Sequence, residues 1–288
     1  MTWTSEAAAR FREWFKASDR VLIGAGAGLS VAAGIDYGDP VSFERLFPAM
    51  VRRGFRARYQ LIGYSGLSPA AHWGYWATHV HDVRFTARRA PVYEGLRELL
   101  KDKDSFVLTS NVDAMFARHG FDEFRISTPQ GDYAAMQCMT QGRPACRNTV
   151  WPSQPIIERL LANVDATTQE VTDPNVLPRC PHCDGAVFLN VRLTDTFVET
   201  PYVEQHQRFK SWIRAGADAP LLVIEIGAGF NTPSVIRWPL EGIVHHGARA
   251  HFVRINLEHP DVPRAIASRS LSWRVDALQA VEQLRAAL

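Results

Sequence analysis

The chain has 288 residues, of which 46% are hydrophobic and 22% are charged, so it can bury one large core or two modest ones without cross-links. Lysine and arginine number 32 against 30 acidic residues, and no run of five or six like charges occurs, which argues against an electrostatic nucleic-acid binder. No segment reaches the ~18 uninterrupted apolar residues of a membrane span, and an acid, Glu6, stands where a signal peptide is basic. We therefore expect a cytoplasmic protein that binds neither membranes nor nucleic acid.

The first predicted elements are a helix and a short buried strand. Apolar residues recur at helical spacing over residues 8–15, and Ser5 is the predicted N-cap. The strand covers residues 21–23 and runs into a glycine turn at residues 24–28, after which residues 29–33 can open a helix. A strand, a glycine turn and a helix in this order begin many nucleotide-binding α/β domains.

Two stretches interrupt the pattern. Residues 40–90 hold many aromatics and clustered arginines and predict an inserted helical module. Residues 136–190 hold all four cysteines and several prolines with little periodicity, which predicts a second, looser insertion. The alternating strands and helices of the rest of the chain fall at residues 92–100, 106–108, 203–213, 221–226, 252–256 and 277–288.

This alternation predicts an α/β fold, a Rossmann-like doubly wound parallel sheet with a smaller inserted domain. We assign residues 1–39, 91–135 and 191–288 to the Rossmann-like domain. The smaller domain combines the helical module of residues 40–90 with a cysteine-bearing, zinc-ribbon-like module at residues 136–190.

The first glycine turn predicts a phosphate contact. Gly26 and Gly28 lack side chains where backbone must approach a phosphate, and a following helix would add N–H donors. The strict G-x-G-x-x-G pattern lacks its third glycine, since Leu29 and Val31 stand there, and no Walker lysine follows. The alternative is an ordinary tight turn of an α/β protein. If the turn holds phosphate, Gly26→Val should block the ligand and leave the fold intact.

Polar or glycine-rich segments follow two further predicted strands. A second glycine turn at residues 227–233 follows the strand at 221–226, and a polar segment at residues 109–113 follows another. Because the carboxyl ends of parallel strands share one edge of a sheet, we expect these segments to form one crevice. Asn111 and Asp113 are candidates there to bind ribose hydroxyls or a carboxamide, and a turn or N-cap role is the alternative for each.

The four cysteines predict a structural zinc site. Cys180 and Cys183 are separated by two residues, the gap of a tetrahedral zinc knuckle, while seven residues separate Cys138 from Cys146. We predict zinc bound by all four, with buried thiols as the alternative and His182 as a bystander.

Taken together, these motifs resemble the sirtuin family of NAD-dependent enzymes over about residues 20–280. Residues 26–30 and 33–35 are similar to the family's first NAD-binding loop, and residues 109–113 are similar to its Thr-Gln-Asn-Ile-Asp motif. The resemblance implies NAD as a substrate, and it implies the NAD-contacting residues Gly26, Ala27, Gly28, Ser30, Gly34, Gln130, Gly227, Gly229, Asn231, Thr232, Asn256 and Asp276.

The chain also departs from typical sirtuins. Residues 36–39 replace the family's Pro-Asp-Phe-Arg, and Gln130-Gly131 stands where a His-Gly pair supplies the general base. Glutamine cannot take a proton near neutral pH. This combination resembles the class M, macrodomain-linked sirtuins, and it implies mono-ADP-ribosylation of a protein acceptor, with a lipoyl-carrier protein as one candidate.

The resemblance also implies roles in cleaving the nicotinamide–ribose bond. Asn111 and Asp113 would hold the ribose, the nicotinamide or a nearby water, Gln130 would position ribose hydroxyls or the acceptor, and Arg192 would lie on the acceptor side.

Three alternatives remain open at this point. One is an NAD-dependent deacylase that uses another base, with His119 the nearest histidine upstream of Gln130. A second is a non-catalytic NAD or ADP-ribose-binding protein. The third is metal-dependent hydrolysis through His79 and His81, although we expect that pair to lie on the surface of a helix.

Overall fold

The structure, a computed structural model, describes residues 3–288. Its strands are β1 (Arg20–Ala25), β2 (Asp104–Thr109), β3 (Ile126–Ser127), β4 (Gly131–Cys138), β5 (Val150–Pro152), β6 (Val187–Val191), β7 (Leu221–Ile226), β8 (Ala250–Ile255) and β9 (Ser270–Trp273). Its α-helices are α1 (Ser5–Ala17), α2 (Ala27–Ala32), α3 (Pro40–Leu46), α4 (Pro48–Arg52), α5 (Pro69–Val80), α6 (Pro91–Leu100), α7 (Met115–Arg118), α8 (Ala145–Asn148), α9 (Gln154–Leu161), α10 (Val203–Ala215), α11 (Arg237–His246) and α12 (Ala277–Ala286).

The chain divides into two compact units. The first unit contains the residues up to Gly34 together with Arg88–Gln130 and Tyr202–Leu288, and the second contains Ile35–Ala87 and Gly131–Pro201. The second unit thus includes more residues than the insertions expected from the sequence. The reason lies in strand pairing, because β4 begins at Gly131 and pairs there with Val191 of β6.

A six-stranded sheet forms the centre of the first unit. Its strands lie in the order β3-β2-β1-β7-β8-β9, and every neighbouring pair is parallel. All six residues of β7 are buried, as are five of the six residues of β1, which explains why both strands read as continuous apolar runs. The chain builds outward from β1 to β3 and then returns to β7 on the other side of β1. The predicted doubly wound α/β sheet is confirmed.

Helices of the first unit add two corrections. Helix α1 buries Phe11, Trp14 and Phe15 as expected, but its N-cap is Thr4 rather than Ser5, because the Thr4 side chain accepts a hydrogen bond from the Ala7 N–H. Helix α11 was not expected from the sequence. Its proline lies in the first turn, where the missing N–H costs no helical hydrogen bond.

The second unit is built on a three-stranded antiparallel sheet in the order β5-β4-β6. Residues 136–190, predicted as a looser insertion, thus contain short strands joined by long segments that are mostly irregular. Helix α5 begins after the N-cap Ser68, with Pro69 at its first position, and continues into a π-helical turn at His81–Phe85.

His79 corrects a further expectation. It lies near the end of α5 and is fully buried, not at the surface. Its ring centroid lies 5.0–5.7 Å from those of four aromatic side chains, Tyr37, Tyr75, Trp76 and Tyr133. No helix within residues 3–288 is long and apolar enough to cross a membrane.

Candidate active site

The order of strands reverses at β1 and β7, which lie side by side in the sheet. In open α/β sheets, ligands bind beyond the carboxyl ends of the strands at such a reversal. Both glycine turns of the sequence begin at this point, one after Ala25 and the other after Ile226. The predicted meeting of the two turns is present in the structure.

The two turns pack backbone against backbone. The Gly26 N–H donates to the Ile226 carbonyl and the Gly28 N–H to the Gly227 carbonyl, each at 3.0 Å. A Cβ at Gly26 would lie 2.6 Å from the Ala228 Cα, and one at Gly28 would lie 2.7 Å from the Gly227 Cα. The tight-turn interpretation therefore accounts for these glycines, and the expectation that Gly26→Val would leave the fold intact is wrong.

The outer part of the second turn is open. A Cβ at Gly229 would meet no protein atom within 4 Å, and Asn231 and Thr232 are exposed beside it. Ala27 of the first turn is exposed as well. A ligand therefore has room beside the reversal point without displacing protein atoms.

A buried polar cluster lies at the carboxyl ends of β1 and β2. The Asn111 side-chain amide donates to the Gly26 carbonyl at 3.0 Å, and the Ser30 hydroxyl donates to Asp113 Oδ2 at 2.5 Å. The other carboxylate oxygen of Asp113 accepts from the Met115 N–H at 2.9 Å. Ser30, Asn111 and Asp113 are all less than 10% exposed. The structure thus gathers three of the predicted side chains into one cluster.

Tyr93 of α6 is a buried member of this region that sequence analysis missed. Its ring makes an edge contact with Phe116 and stacks on His119, with centroids 4.9 and 5.3 Å apart. Burial, followed by the charge of Asp113, holds the pKa of the Tyr93 hydroxyl well above its ordinary value of 10. In the sequence Tyr93 is an ordinary apolar position of a helix, so no local signal marks it.

Asn256 and Asp276 mainly organise backbone. The Asn256 amide donates to the Ala228 carbonyl at 2.8 Å, and its oxygen accepts from the N–H groups of Glu258 and His259. The Asp276 carboxylate accepts from Leu278 and Gln279 as the N-cap of α12. Both residues therefore shape the loops at this edge of the sheet.

Arg237 is a second residue that sequence analysis missed. Its guanidinium donates to the carbonyls of Ala228 and His259 at 2.9 and 3.2 Å, so it ties the loop after β7 to the loop after β8. It also lies 3.7 Å from Glu225, which makes two hydrogen bonds of 2.7 and 2.8 Å with Arg254. Burial raises the pKa of Glu225, and the two guanidinium groups oppose that effect. This buried charge network links the loops at the edge where the glycine turns lie.

The remaining predicted side chains, Gln130 and Arg192, lie outside the polar cluster's residues in different units of the chain. Gln130 is the last residue of the first unit's middle segment, shortly after β3, and it is half-buried. Gly131 has a φ of +96°, and a Cβ there would lie 2.1 Å from the Asn190 carbonyl oxygen, so this position requires glycine. Arg192 follows β6 in the second unit, where it pairs with Glu199 and lies 4.5 Å from the centre of the Phe197 ring.

Gly34 lies at the end of the first segment of the first unit. Its φ of +78° favours glycine, and its carbonyl accepts a hydrogen bond from the Arg88 guanidinium at 3.1 Å.

The four cysteines converge in the second unit. All four Sγ atoms lie within 4.8 Å of one another, with 3.6 Å between Cys138 and Cys183 and 3.7 Å between Cys146 and Cys180. Tetrahedral zinc with Zn–S bonds of ~2.3 Å needs sulfur atoms about 3.8 Å apart. The cluster therefore suits a zinc site.

Local backbone explains how the wide spacing closes. Cys138 ends β4, and Cys146 returns to it on the short helix α8. The second pair lies on a tight turn, in which the Cys180 N–H donates to the Gly185 carbonyl. Burial raises the pKa of Cys146 to about 12, whereas a backbone N–H lowers that of Cys183 to about 7. A bound cation would hold both as thiolates.

No second metal group accompanies the cysteines within residues 3–288. His79 contacts the Tyr133 hydroxyl at 3.3 Å, and no third ligand gathers with His79 and His81 in that part of the chain. His182 does not belong to the cysteine cluster. The structure therefore gives no support to metal-dependent hydrolysis through the histidine pair.

The fold is shared with a solved Sir2 homologue. A mutant of that homologue in complex with ADP-ribose matches the chain with a TM-score of 0.59 at 18% sequence identity, and the match covers 99% of this chain and 96% of that one. The chain has the sirtuin fold. No family model matches the sequence.

Two curated relatives resemble the sequence itself. A probable bifunctional ADP-ribose hydrolase/ADP-ribosyltransferase of Fusarium oxysporum f. sp. cubense is 35% identical over 255 residues. The match covers 85% of this chain but 42% of that protein, so the chain spans less than half its length. A protein ADP-ribosyltransferase of Staphylococcus aureus is 24% identical over 266 residues, covering 90% of this chain and 81% of the relative.

Proposed function

We propose that the chain cleaves the nicotinamide–ribose bond of NAD and transfers ADP-ribose to a protein acceptor. The observation that carries this proposal is the buried cluster of Ser30, Asn111 and Asp113, fixed beside the open glycine turn of a sirtuin fold. The two relatives support it, because both are named as ADP-ribosyltransferases.

The residues present fit a dinucleotide. Gly229 leaves open space at the reversal point, and the Tyr93 hydroxyl in the polar cluster has no hydrogen-bond partner within residues 3–288. Under this proposal NAD is held by the predicted contacts Gly26, Ala27, Gly28, Ser30, Gly34, Gln130, Gly227, Gly229, Asn231, Thr232, Asn256 and Asp276.

The polar cluster suits the charge that develops during the reaction. When the nicotinamide–ribose bond breaks, the leaving nicotinamide takes the electron pair and the ribose becomes positively charged, as in glycoside chemistry. The carboxylate of Asp113, held in place by Ser30, would stabilise that charge, and Asn111 would orient the ribose. A nucleophilic atom of the acceptor then forms the new bond to the ribose carbon.

Gln130 favours transfer to an acceptor over deacylation. A deacylase needs a base near this position, and an amide cannot serve as one. An acceptor carboxylate arrives already ionised and needs mainly orientation, which Gln130 can supply. Arg192 would contact the acceptor, and a lipoylated carrier protein is our candidate. A cytoplasmic location would keep the four thiols reduced for zinc.

Nicotinamide release distinguishes this function from a binding role without catalysis. We expect nicotinamide to form when the protein is mixed with NAD and acceptor, and we expect Asn111→Ala to reduce its rate by at least tenfold. A protein that binds NAD tightly and releases no nicotinamide would instead be an NAD sensor. In a parallel reaction with an acylated peptide, His119→Ala tests whether this histidine serves as the base, since its ring stacks on Tyr93 beside the cluster.

A further inference from the structure

The Tyr93 hydroxyl is a buried polar group that lacks a well-formed hydrogen bond among the described residues. The Tyr93 side chain is fully buried, and its hydroxyl makes no hydrogen bond within residues 3–288. The large majority of buried side-chain polar atoms have a partner, because an unmade hydrogen bond leaves the cost of desolvation uncompensated. Phenylalanine would fill the same space without that cost. The hydroxyl is therefore not explained by the stability of the folded chain.

The ring cannot turn the hydroxyl elsewhere. Phe116 meets it edge-on and His119 stacks on it, and Tyr93 lies in the first turn of α6, where its N–H is bonded to the Ala90 carbonyl at 3.0 Å. His119 is itself held by a 2.8 Å contact between its Nδ1 and the Met115 carbonyl. The packing thus fixes the direction in which the oxygen points.

That direction is toward the polar cluster. The side chains of Ser30 and Asn111 lie within reach of the hydroxyl and act to lower its pKa, whereas burial and the Asp113 carboxylate raise it. Neither neighbour makes a well-formed hydrogen bond with the hydroxyl. Both neighbours already donate to other groups, Ser30 to the Asp113 carboxylate and the Asn111 amide to the Gly26 carbonyl. An additional polar atom brought by a ligand would satisfy the hydroxyl without breaking either bond.

The chemistry of the hydroxyl limits what that atom can be. With its pKa held well above 10 by burial, the phenol stays protonated at any working pH and acts as a neutral donor. The adjacent carboxylate of Asp113 disfavours an anion such as phosphate at this place. A ribose hydroxyl or a carboxamide oxygen suits it, because each is an uncharged acceptor.

We propose that Tyr93 is a further substrate-contacting residue, whose hydroxyl donates a hydrogen bond to the ribose–nicotinamide end of NAD. This inference rests on the proposed function and adds one contact to it. It also gives a partner to a buried hydroxyl that has no well-formed hydrogen bond in the described part of the chain.

Removal of one oxygen atom tests the inference. Tyr93→Phe should lower kcat/KM for NAD in the transfer reaction by at least tenfold, equivalent to about 1.4 kcal/mol. Its Tm should equal or exceed that of the unmutated protein, because no well-formed hydrogen bond within residues 3–288 is lost. If Tyr93 had only a structural role, Tyr93→Phe would leave kcat/KM unchanged and would lower Tm.

Tyr75→Phe is the matched control. Tyr75 is also buried, but its hydroxyl donates to the Arg58 carbonyl at 3.3 Å within the second unit. This variant should lower Tm slightly and leave kcat/KM within twofold of the unmutated protein.

Three outcomes would overturn the inference. Unchanged kcat/KM in Tyr93→Phe would do so, and so would a loss of activity matched by a fall in Tm larger than that of Tyr75→Phe. Failure of the unmutated protein to bind NAD in calorimetry would remove both this inference and the proposed function. NAD binding and transfer by the unmutated protein, with no effect of Tyr93→Phe, would remove the inference alone.

Discussion

Ser30 and the backbone of Met115 fix the orientation of the Asp113 carboxylate at this edge of the sheet. Both carboxylate oxygens of Asp113 accept hydrogen bonds, one from Ser30 and one from the Met115 backbone. The sequence predicted Asp113 as a site residue from its place after a strand, but it could not show that Ser30 orients it, because 83 residues separate the two. Contacts of this kind depend on the parallel pairing of β1 with β2.

Substitution of two glycines in neighbouring turns, Gly26 and Gly229, distinguishes an effect on packing from an effect on NAD binding. Gly229→Val should weaken NAD binding by at least tenfold, about 1.4 kcal/mol, because the new side chain enters the open space beside the reversal point. Its unfolding temperature should match that of the unmutated protein. Calorimetric titration and thermal unfolding measure the two effects.

Gly26→Val is the counterpart within the same site. It should lower Tm markedly, because a Cβ there meets the backbone of Ala228 at 2.6 Å. A stable Gly26→Val protein, or a Gly229→Val protein with normal NAD affinity, would show that the turns are placed wrongly.

His79 predicts a dependence of stability on pH. Burial, with the charge of Arg58 adding to it, holds the pKa of His79 well below 6.5 in the folded state. The unfolded chain therefore binds more protons than the folded one below about pH 6.5, and the free energy of unfolding falls as the pH drops through that range. Burial also lowers the pKa values of His72 and His251, so they act in the same direction.

Denaturant titrations between pH 7.5 and 5 measure this effect. Replacing His79 by glutamine should reduce the slope of the unfolding free energy against pH by up to ~1.4 kcal/mol per pH unit, the value for one proton. An unchanged slope in His79→Gln would mean that this histidine is protonated in the folded protein.

At the level of elements, the sequence predicted those with strong local signals. The strands β1, β2, β7 and β8 follow from continuous apolar runs, whereas the short strands of the second unit were not located. Strand β5 has only three residues, and β4 carries an irregularity in its pairing with β6 between Gly131 and Met136. A strand this short, or one whose pairing is irregular, does not produce a clear alternation of apolar and polar residues in the sequence.

Cys138 and Cys146 are separated by seven residues, yet both belong to the compact cluster of four cysteines. Cys180 and Cys183 are recognisable as a knuckle, but the approach of Cys146 to that knuckle depends on α8 turning back after β4. The sequence could predict the ligand types and not the path of this loop.

Zinc removal tests whether the metal site stabilises the strands β4 and β6 of the second unit. Metal analysis should find about one zinc per chain. Chelation or Cys180→Ser should release the metal and speed amide hydrogen exchange in β4 and β6, because the site joins the end of β4 to the turn before β6. Exchange in β1 and β7 of the first unit should change little.

The control for this experiment lies inside the knuckle. His182→Ala should keep its zinc, since His182 is outside the cysteine cluster. A metal-free purified protein whose β4 and β6 exchange slowly would show that the four thiols are simply packed together.

At the scale of the whole molecule, the chain alternates between its two units and returns twice to the first. The insertions were visible in the sequence as breaks in the alternation of strands and helices. Their boundaries were not, because Gly131 belongs to the second unit through its pairing with Val191, a contact 60 residues away along the chain. Gln130 thus ends a segment of the first unit, directly before a glycine whose positive φ fixes the backbone.

We expect the product of the reaction to be an ADP-ribosylated protein. The most direct test of this expectation is intact-mass spectrometry of a lipoylated carrier protein and of an acylated peptide, each incubated with the unmutated protein and NAD. We predict that the carrier gains the mass of one ADP-ribosyl group and that the peptide keeps its acyl group, since Gln130 cannot act as a base. Loss of the acyl group from the peptide, with no ADP-ribosylated carrier, would contradict the account and identify a deacylase.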